Sequence, residues 1–298
     1  MKNAAVGQHL LSGALSGFAG AILLQPLDLL KTRIQQGDSA VNARNTTIIW
    51  RTTKNILRNE GIKGLWTGTS ATLIRNVPGV AFYFTSLTYL RSVMAKSPYF
   101  SAHQRHSRDS SKTVLPKLSS QGNLIAGATA RVGVGLILNP FSILKARFES
   151  ELHAYRSLSG SLLSITRMGP SELMCGFVAS SLRDAPYAGL FVVIYESIKR
   201  ETTYFIPTAY AAGIHSFSAA SAGAIATIAT HPFDVIKTKM QVRSEDRYRG
   251  FTTTVMRIFK QRGAAGFFDG ASLRMSRKIL SSAIGWAVFE GMLLFMQT

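Results

Sequence analysis

The sequence predicts an all-α membrane protein whose six transmembrane helices form three pseudo-threefold repeats, with short amphipathic helices between them. Two observations lead to this fold class. Hydrophobic residues make up 46% of the 298 residues and charged residues only 16%, against roughly 25% in a typical soluble domain. A proline-centred motif also occurs three times along the chain. Such self-similarity indicates a fold assembled from repeated units.

The charge balance supports a membrane setting. The formal net charge is +19, because 34 Lys and Arg outnumber 15 Asp and Glu. An apolar chain with strongly basic connections suits an anionic membrane surface. The basic stretches lack the interleaved aromatic residues of nucleic-acid-binding modules, so we expect no nucleic-acid partner. We find no nucleotide-binding loop or metal-ligand cluster in the sequence, and we expect no cofactor, no metal and no enzymatic activity.

Two anchors recur at matching positions in each repeat. The first is the proline motif, at residues 25–33, 139–147 and 231–239, which follows an apolar segment rich in small residues. The second is a glycine with an arginine seven residues beyond it. Because this spacing is the same three times, we interpret it as a repeat rather than a coincidence. The glycines are Gly68, Gly176 and Gly270, and the arginines are Arg75, Arg183 and Arg277.

These anchors position six long helices, at 7–36, 70–95, 117–149, 177–201, 209–242 and 271–296. Each exceeds the ~20 residues that a helix needs to cross the hydrocarbon core of a bilayer. Short connecting helices are predicted at 46–57, 158–168 and 251–262. The chain would then be one transmembrane domain, 1–298, with repeats at about 7–96, 117–201 and 209–296. The Ser-, His- and Arg-rich segment 97–116 is predicted to be a loop between repeats.

Charged side chains follow the prolines on one helix face, as with Asp28 and Lys31. An ionisable group in hydrocarbon costs about 2.5–3.5 kcal/mol, so these groups should face each other or water. In a threefold bundle each carboxylate can reach the lysine of the next repeat, and the prolines kink the odd-numbered helices so that their ends converge. We predict a ring of ion pairs, here called the first gate, formed by Asp28, Lys31, Ser142, Lys145, Asp234 and Lys237.

The first gate is incomplete, because Ser142 stands where the other two repeats have a carboxylate. Two acids and three lysines leave one lysine without an ionic partner. We therefore expect a weaker gate than a complete ring would give. The alternative interpretation is that these charges only extend from helix ends toward water.

A second set of charges is predicted near the other end of the even-numbered helices. Thirteen residues beyond the three repeat arginines stand Thr88, Glu196 and Glu290, and sixteen residues beyond them stand Arg91, Lys199 and Leu293. Pairing each +13 residue with the +16 residue of the preceding even helix joins Glu196 to Arg91 and Glu290 to Lys199. This second gate and the first would enclose a central cavity, as alternating access requires.

The three repeat arginines are the candidate binding residues of that cavity. Facing lipid, they would together cost on the order of 10 kcal/mol, so we expect them to line a hydrated space. Asp184 follows Arg183 directly and gives the second repeat an adjacent basic and acidic pair. Arg183 can hold a carboxylate through two hydrogen bonds, and Asp184 can accept an ammonium group. We predict a site for a small zwitterion formed by Arg75, Arg183, Asp184 and Arg277.

Two points at this site stay open in the sequence. The alternative interpretation of Arg183 and Asp184 is that they only satisfy each other within the bundle, although side chains adjacent in a helix do not face one another well. Arg131 stands where the other repeats have glycine, and its side chain can reach either the cavity or a neighbouring helix.

The threefold proline motif, its spacing and the second anchors resemble the mitochondrial carrier family over nearly the whole chain. The resemblance implies a six-helix fold in the inner membrane, with both termini toward the intermembrane space, the first gate toward the matrix and the second toward the cytoplasmic side. It also implies a monomer without cofactors. The matrix side would comprise segments 31–75, 142–183 and 237–277, which hold 23 of the 34 basic residues. This positive charge would attract anionic lipid headgroups, and the family resemblance implies cardiolipin.

The resemblance also bears on the substrate. The stretches 25–36, 182–190 and 274–278 are similar to family members that carry amino acids. They imply a transporter of glycine, supplied to the matrix for heme synthesis. The alternatives are another small amino acid such as serine, a carboxylate, or a membrane protein that does not transport.

Overall fold

The structure is a computed structural model that describes residues 2–37, 45–97, 99, 119–150, 152, 157–205, 211–243, 245, 248–281 and 283–284. Every regular element in these ranges is helical. The α-helices are α1 (Lys2–Gln36), α2 (Asn45–Asn59), α3 (Thr69–Met94), α4 (Ser120–Ile137), α5 (Asn139–Glu149), α6 (Leu158–Arg167), α7 (Pro170–Leu173), α8 (Phe177–Phe205), α9 (Ala211–Ala229), α10 (His231–Val242), α11 (Phe251–Arg262) and α12, helical over 271–281.

These helices correspond to the sequence prediction with small shifts in their ends. The first four long helices appear as α1, α3, the pair α4–α5, and α8, and the fifth appears as the pair α9–α10. The predicted connecting helices are α2, α6 and α11. The last long helix begins as α12 at 271, and its predicted part beyond 284 lies outside the described residues. The predicted loop 97–116 also lies outside them, apart from residues 97 and 99.

The prolines interrupt two of the three odd-numbered long helices. Helices α4 and α5 meet at an angle of 67°, and α9 and α10 are separated at Thr230. In both cases the proline stands in the first turn of the new helix, where its missing N–H group costs no hydrogen bond. In the first repeat α1 continues through Pro26, so the lost hydrogen bond there does not end the helix, and a kink at Pro26 stays a prediction.

Three buried apolar clusters lie beside the connecting helices, and a further one, with Leu87 and Ala126, lies between α3 and α4. Leu29 and Leu30 of α1 pack with Ile56 of α2. The residues three and four positions after the other two prolines pack in the same way. Ile143 and Leu144 contact Ile165 of α6, and Val235 and Ile236 contact Ile258 of α11. This threefold packing fixes the helix ends that carry the first gate.

Hydropathy and length identify fewer membrane spans than six. Within the described part of the chain, one helix, Pro170–Thr203, is long and apolar enough to cross a membrane. The bent pair Gln121–Ile137 and Asn139–Glu149 would be a second span if it is counted as one helix.

Candidate functional site

Two ion pairs of the predicted ring are present in the structure. Lys145 Nζ lies 2.7 Å from Asp28 Oδ2, which joins the second repeat to the first. Lys31 forms an ion pair with Asp234, which joins the first repeat to the third. Asp28 and Asp234 are buried, 7% and 1% exposed. The pairing sense is the one expected from the sequence, with each carboxylate bound to the lysine of the next repeat.

The third position of the ring has a lysine but no carboxylate. Lys237 is buried on α10, and Ser142 is buried on the neighbouring helix α5. Among the described residues, none of the ion pairs includes Lys237. The charges that act on it are those of Arg183, Arg75, Asp184 and Asp234.

Arg183 binds its neighbour Asp184 through two hydrogen bonds. Arg183 Nε donates to Asp184 Oδ1 at 2.7 Å, and Nη2 donates to Oδ2 at 3.0 Å. The expectation that adjacent side chains on a helix face apart is therefore wrong here. The arginine side chain is long enough to turn its planar guanidinium back onto the short carboxylate, and this fork geometry favours a paired contact.

The repeat arginines also contact the ring itself, which the sequence analysis did not foresee. Arg183 Nη1 donates to Asp234 Oδ1 at 2.9 Å, and Arg277 forms an ion pair with Asp28. Each acid of the ring thus holds one lysine and one arginine. The repeat arginines Arg183 and Arg277 and the first gate form one connected charge network, because the long arginine side chains reach from the even helices to the gate.

Among the described residues, Arg75 is the repeat arginine that forms no ion pair. Its Nη1 donates to Asn76 Oδ1 at 3.3 Å, and within the described structure its buried Nε has no hydrogen-bond partner. Charges of Arg183, Arg277, Asp184 and Asp28 act on it. Arg75 therefore lies in the same cluster and keeps donor capacity for a ligand.

Two further cations at the bundle centre lie against aromatic rings. The guanidinium carbon of Arg131 lies 4.9 Å from the ring centroid of Tyr83 on α3. Lys278 of α12 contacts Tyr187 of α8. Arg131 reaches both of the environments left open for it, because its guanidinium stacks on Tyr83 of a neighbouring helix while its charge acts on Asp184.

A second threefold set, nine residues after each proline, was missed in the sequence analysis. Gln35 donates to the carbonyl oxygen of Asp269 at 3.2 Å, and Gln241 donates to Asn139 Oδ1 at 3.3 Å. Glu149, the third member, accepts hydrogen bonds from Thr32 Oγ1 at 2.7 Å and Gln25 Nε2 at 3.2 Å. Every one of these bonds joins two repeats. The repeated spacing of these buried polar residues was the signal available in the sequence.

The glycines that precede the even helices adjoin the same three residues. Their φ angles are +85°, +72° and +74° at Gly68, Gly176 and Gly270, in the left-handed region that glycine adopts readily. A Cβ on Gly176 would lie 2.8 Å from Gln241 Cγ, and one on Gly68 would lie 3.1 Å from Glu149 Cγ. Glycine is needed there both for backbone conformation and for close packing between repeats.

Ion pairs also connect the C-terminal ends of three helices, α1, α5 and α11, to the segments that follow them. Arg33 Nη2 lies 2.5 Å from Glu60 Oε1, and Arg147 forms an ion pair with Glu172. Arg262 Nη1 donates to Asp269 Oδ2 at 2.6 Å. Burial nevertheless raises the pKa of Asp269, because the loss of hydration outweighs the attraction of Arg262.

Arg91 and Glu196, the pair of the second gate that the structure describes, do not form their predicted ion pair. Among the described residues, Arg91 and Glu196 make no ion pair with each other, and Glu196 and Lys199 line an open pocket at the far end of α8. Glu290 and Leu293 lie outside the described residues. The Arg91–Glu196 pair predicted from the sequence is therefore absent from a conformation in which the first gate is closed.

The threefold helices, the ring of charges and the arginine cluster above it are the features of a membrane carrier. The family model described as mitochondrial carrier protein matches residues 2–98, 116–204 and 209–298. The chain therefore belongs to the mitochondrial carrier family, and it is a transport protein of a mitochondrial membrane rather than an enzyme.

Individual relatives share most of their length with this chain. It is 62% identical to the mitochondrial glycine transporter of Laccaria bicolor over 98% of each chain. It is 39% identical to the mitochondrial glycine transporter of Coccidioides immitis, over 97% of this chain and 90% of that protein. Identity to the mitochondrial glycine transporter of Mycosarcoma maydis is 40%, over 93% of this chain and 82% of that protein.

Proposed function

We propose that this protein imports glycine across the inner mitochondrial membrane into the matrix, where it supplies the synthesis of 5-aminolevulinate and heme. The observation that carries the proposal is the Arg183–Asp184 pair, 2.7 Å apart within a cluster of buried charges. This pair offers one donor group and one acceptor group side by side, as a zwitterion requires. Three relatives that are named mitochondrial glycine transporters support the choice of substrate.

Glycine binding replaces the ion pair between Arg183 and Asp184 by two ion pairs between these residues and the substrate. The guanidinium of Arg183 turns from Asp184 to the substrate carboxylate, and Asp184 accepts the substrate ammonium. Arg75 and Arg277 add further donors for the carboxylate. Because Arg183 and Asp184 exchange one partner for another, neither of them is left without a counterion, which would be costly in a dry site.

The same binding step weakens the first gate. Arg183 and Arg277 hold Asp234 and Asp28 of the ring, so a carboxylate that competes for these arginines removes contacts from the closed ring. Opening of the first gate would then accompany closure of the second, through the pairs Glu196–Arg91 and Glu290–Lys199. The ion pairs of the ring, together with the absence of an Arg91–Glu196 pair among the described residues, support a carrier that is open to the cytoplasmic side.

The mechanism requires six membrane-spanning helices, although several of the helices are too polar to be identified as spans by hydropathy. Helix α3 has 26 residues, about 39 Å at 1.5 Å per residue, longer than the ~30 Å hydrocarbon core. The charged residues that lower its mean hydropathy belong to the proposed cavity and gates. Exposed apolar residues such as Val77, Val80 and Phe84 provide a surface for lipid.

The remaining parts of the proposal concern the surroundings of the carrier. The basic connections would face the matrix and bind anionic lipid headgroups, cardiolipin above all. The protein would function as a monomer, since each of its three repeats contributes to one central cavity. The membrane potential does almost no work on a zwitterion, so net import follows the glycine gradient unless a proton is co-transported.

Uptake of labelled glycine into liposomes that contain the pure protein tests the proposal. We expect saturable uptake that unlabelled glycine inhibits and larger amino acids do not. Arg183→Gln and Asp184→Asn should each lower uptake at least about tenfold, because each removes a charged hydrogen bond to the substrate. Arg200→Gln is the matched control, as Arg200 is exposed on the same helix. Uptake that survives loss of both Arg183 and Asp184 would rule out this site.

The main alternative is another small amino acid. Serine adds a hydroxymethyl group. Pro186 and Tyr187 follow Arg183 and Asp184 on α8, and we expect them to limit the space beside that pair and so to exclude serine. Competition by serine as strong as that by glycine would favour a broader amino-acid carrier. Liposomes inactive toward every small amino acid would instead favour a protein that does not transport.

A further inference from the structure

We propose that Lys237 binds the carboxylate of the transported zwitterion, which takes the position in the ring that Ser142 leaves without a negative charge. This inference rests on the proposed function and extends the binding site from the even helices into the first gate. The substrate carboxylate would thereby bind Lys237 together with Arg183, and its competition for Arg183 still releases Asp234 of the ring.

Lys237 is a buried cation with the environment of an anion site. It is 7% exposed, and Ser142, its partner position in the ring, is 8% exposed. Lys145 and Lys31, the equivalent lysines, each bind a carboxylate of the neighbouring repeat. A buried ammonium group without a counterion is unfavourable, and a negatively charged ligand removes that cost.

The acids nearest to Lys237 are already bound to other cations. Asp234 holds Lys31 and Arg183, and Asp184 holds Arg183. Arg75, whose charge also acts on Lys237, adds further positive charge. The cluster therefore contains more cations than acids: Lys31, Lys145, Lys237, Arg75, Arg183 and Arg277 against Asp28, Asp184, Asp234 and Glu149.

The arrangement suits a ligand whose two charges are close together. Lys237 and Asp184 are near enough that the charge of each acts on the other, yet they form no ion pair in the described structure. One methylene group separates the carboxylate of glycine from its ammonium. Glycine can therefore bridge the two residues, with its carboxylate on Lys237 and its ammonium on Asp184.

Ser142→Asp tests the inference, because it supplies the ring with a permanent carboxylate that competes for Lys237. Ser142→Asn is the comparison of equal size without charge. We expect the KM for glycine uptake by S142D to exceed that of S142N by about tenfold, because the substrate loses its charged contact with Lys237. Equal KM values for the two variants would overturn the inference, while absence of uptake by the unsubstituted protein would instead contradict the proposed function.

Thermal unfolding in detergent gives a readout that needs no transport. Without substrate, S142D should unfold at a higher temperature than S142N, because it pairs with Lys237. Glycine should raise the unfolding temperature of S142N more than that of S142D. Adding Lys237→Gln to both variants should abolish both differences, and differences that persist without Lys237 would contradict the assignment.

Exchanging chloride for gluconate in the buffer shows whether the anion bound at Lys237 is the substrate carboxylate or an inorganic ion. Glycine uptake should keep its KM in this exchange. A KM that falls several-fold without chloride, in S142N but not in S142D, would show that Lys237 binds the inorganic ion and would overturn the inference.

Discussion

Arg183 Nη1 lies 2.9 Å from Asp234 Oδ1, and this ion pair connects the centre of the bundle to the ring at its closed end. Asp234 also binds Lys31, a residue of the first repeat. One carboxylate therefore joins a candidate substrate residue on α8 to the gate residue on α1. A ligand that changes the position of Arg183 acts on the gate without an intermediate element.

Asp234→Asn should destabilise the protein strongly. It leaves Lys31 without its counterion and removes one contact of Arg183, and loss of one partner from a buried ion pair costs about 3 kcal/mol or more. We expect a clear fall in the midpoint temperature of unfolding in detergent. Glu201→Gln is the control, because the Glu201–Arg200 pair is exposed and should contribute under about 1 kcal/mol. Equal effects of the two substitutions would contradict a structural role for the ring.

Gly176→Ala should be more disruptive than Gly270→Ala. The two glycines occupy equivalent positions with φ angles of +72° and +74°, so their backbone strain is the same. An added Cβ meets Gln241 Cγ at 2.8 Å in the first case, and at Gly270 nothing lies nearer than 3.7 Å. Overpacking costs about 1–3 kcal/mol, and we expect G176A to have the lower unfolding midpoint by that difference. Matching midpoints would mean that the contact between repeats relaxes without cost.

Glu149→Gln should be tolerated, whereas Glu149→Ala should not. Glutamine stands at the equivalent positions 35 and 241, and its carbonyl oxygen can still accept from Thr32. The Lys145 ammonium keeps Asp28 at 2.7 Å when its 3.5 Å contact with Glu149 is lost. Alanine leaves the Thr32 hydroxyl without this acceptor and removes one of the two acceptors of the Gln25 amide, which keeps the carbonyl oxygen of Thr67 at 3.0 Å. A buried group left unsatisfied costs about 1–3 kcal/mol. Thermal unfolding of both variants measures the difference, and E149Q as unstable as E149A would show that the negative charge is required.

Charge reversal tests the second gate. Arg91→Glu and Glu196→Arg should each lower glycine uptake, because each places like charges together when that gate closes. The double variant restores an ion pair and should recover part of the activity. Reversal of the exposed Glu201 in combination with Arg91→Glu should give no recovery. Additive losses in the R91E/E196R protein would show that the two residues do not meet during transport.

Much of the fold was predictable because the sequence repeats itself. The prolines, the glycines and the arginines recur at fixed spacing, and that spacing positioned the long helices and the helices that connect them. The lysine–carboxylate pairs of the ring followed from the i, i+3 spacing of Asp28 and Lys31 together with threefold symmetry. The absence of a ring acid at Ser142 was equally visible. These features depend on local geometry and on the repeat, both of which are properties of the sequence.

Other contacts required the positions of whole helices. The Arg277–Asp28 and Arg183–Asp234 pairs join an even helix to an odd helix of a different repeat, and they form because a long, flexible side chain reaches across the gap. The contact of Arg131 with Tyr83 depends in the same way on how α4 packs against α3. No spacing in the chain encodes the angle between two helices.

The sequence alone determined the helical class, the threefold order and the residues from which the ring is built, because each of these follows from periodicity, charge and spacing along the chain. Only the tertiary structure decided which charges meet, that Arg183 turns back onto Asp184, and that the cavity arginines share their acids with the gate. The physical reason is that ion pairing depends on distances of a few ångströms across helix packing, which covalent order does not fix.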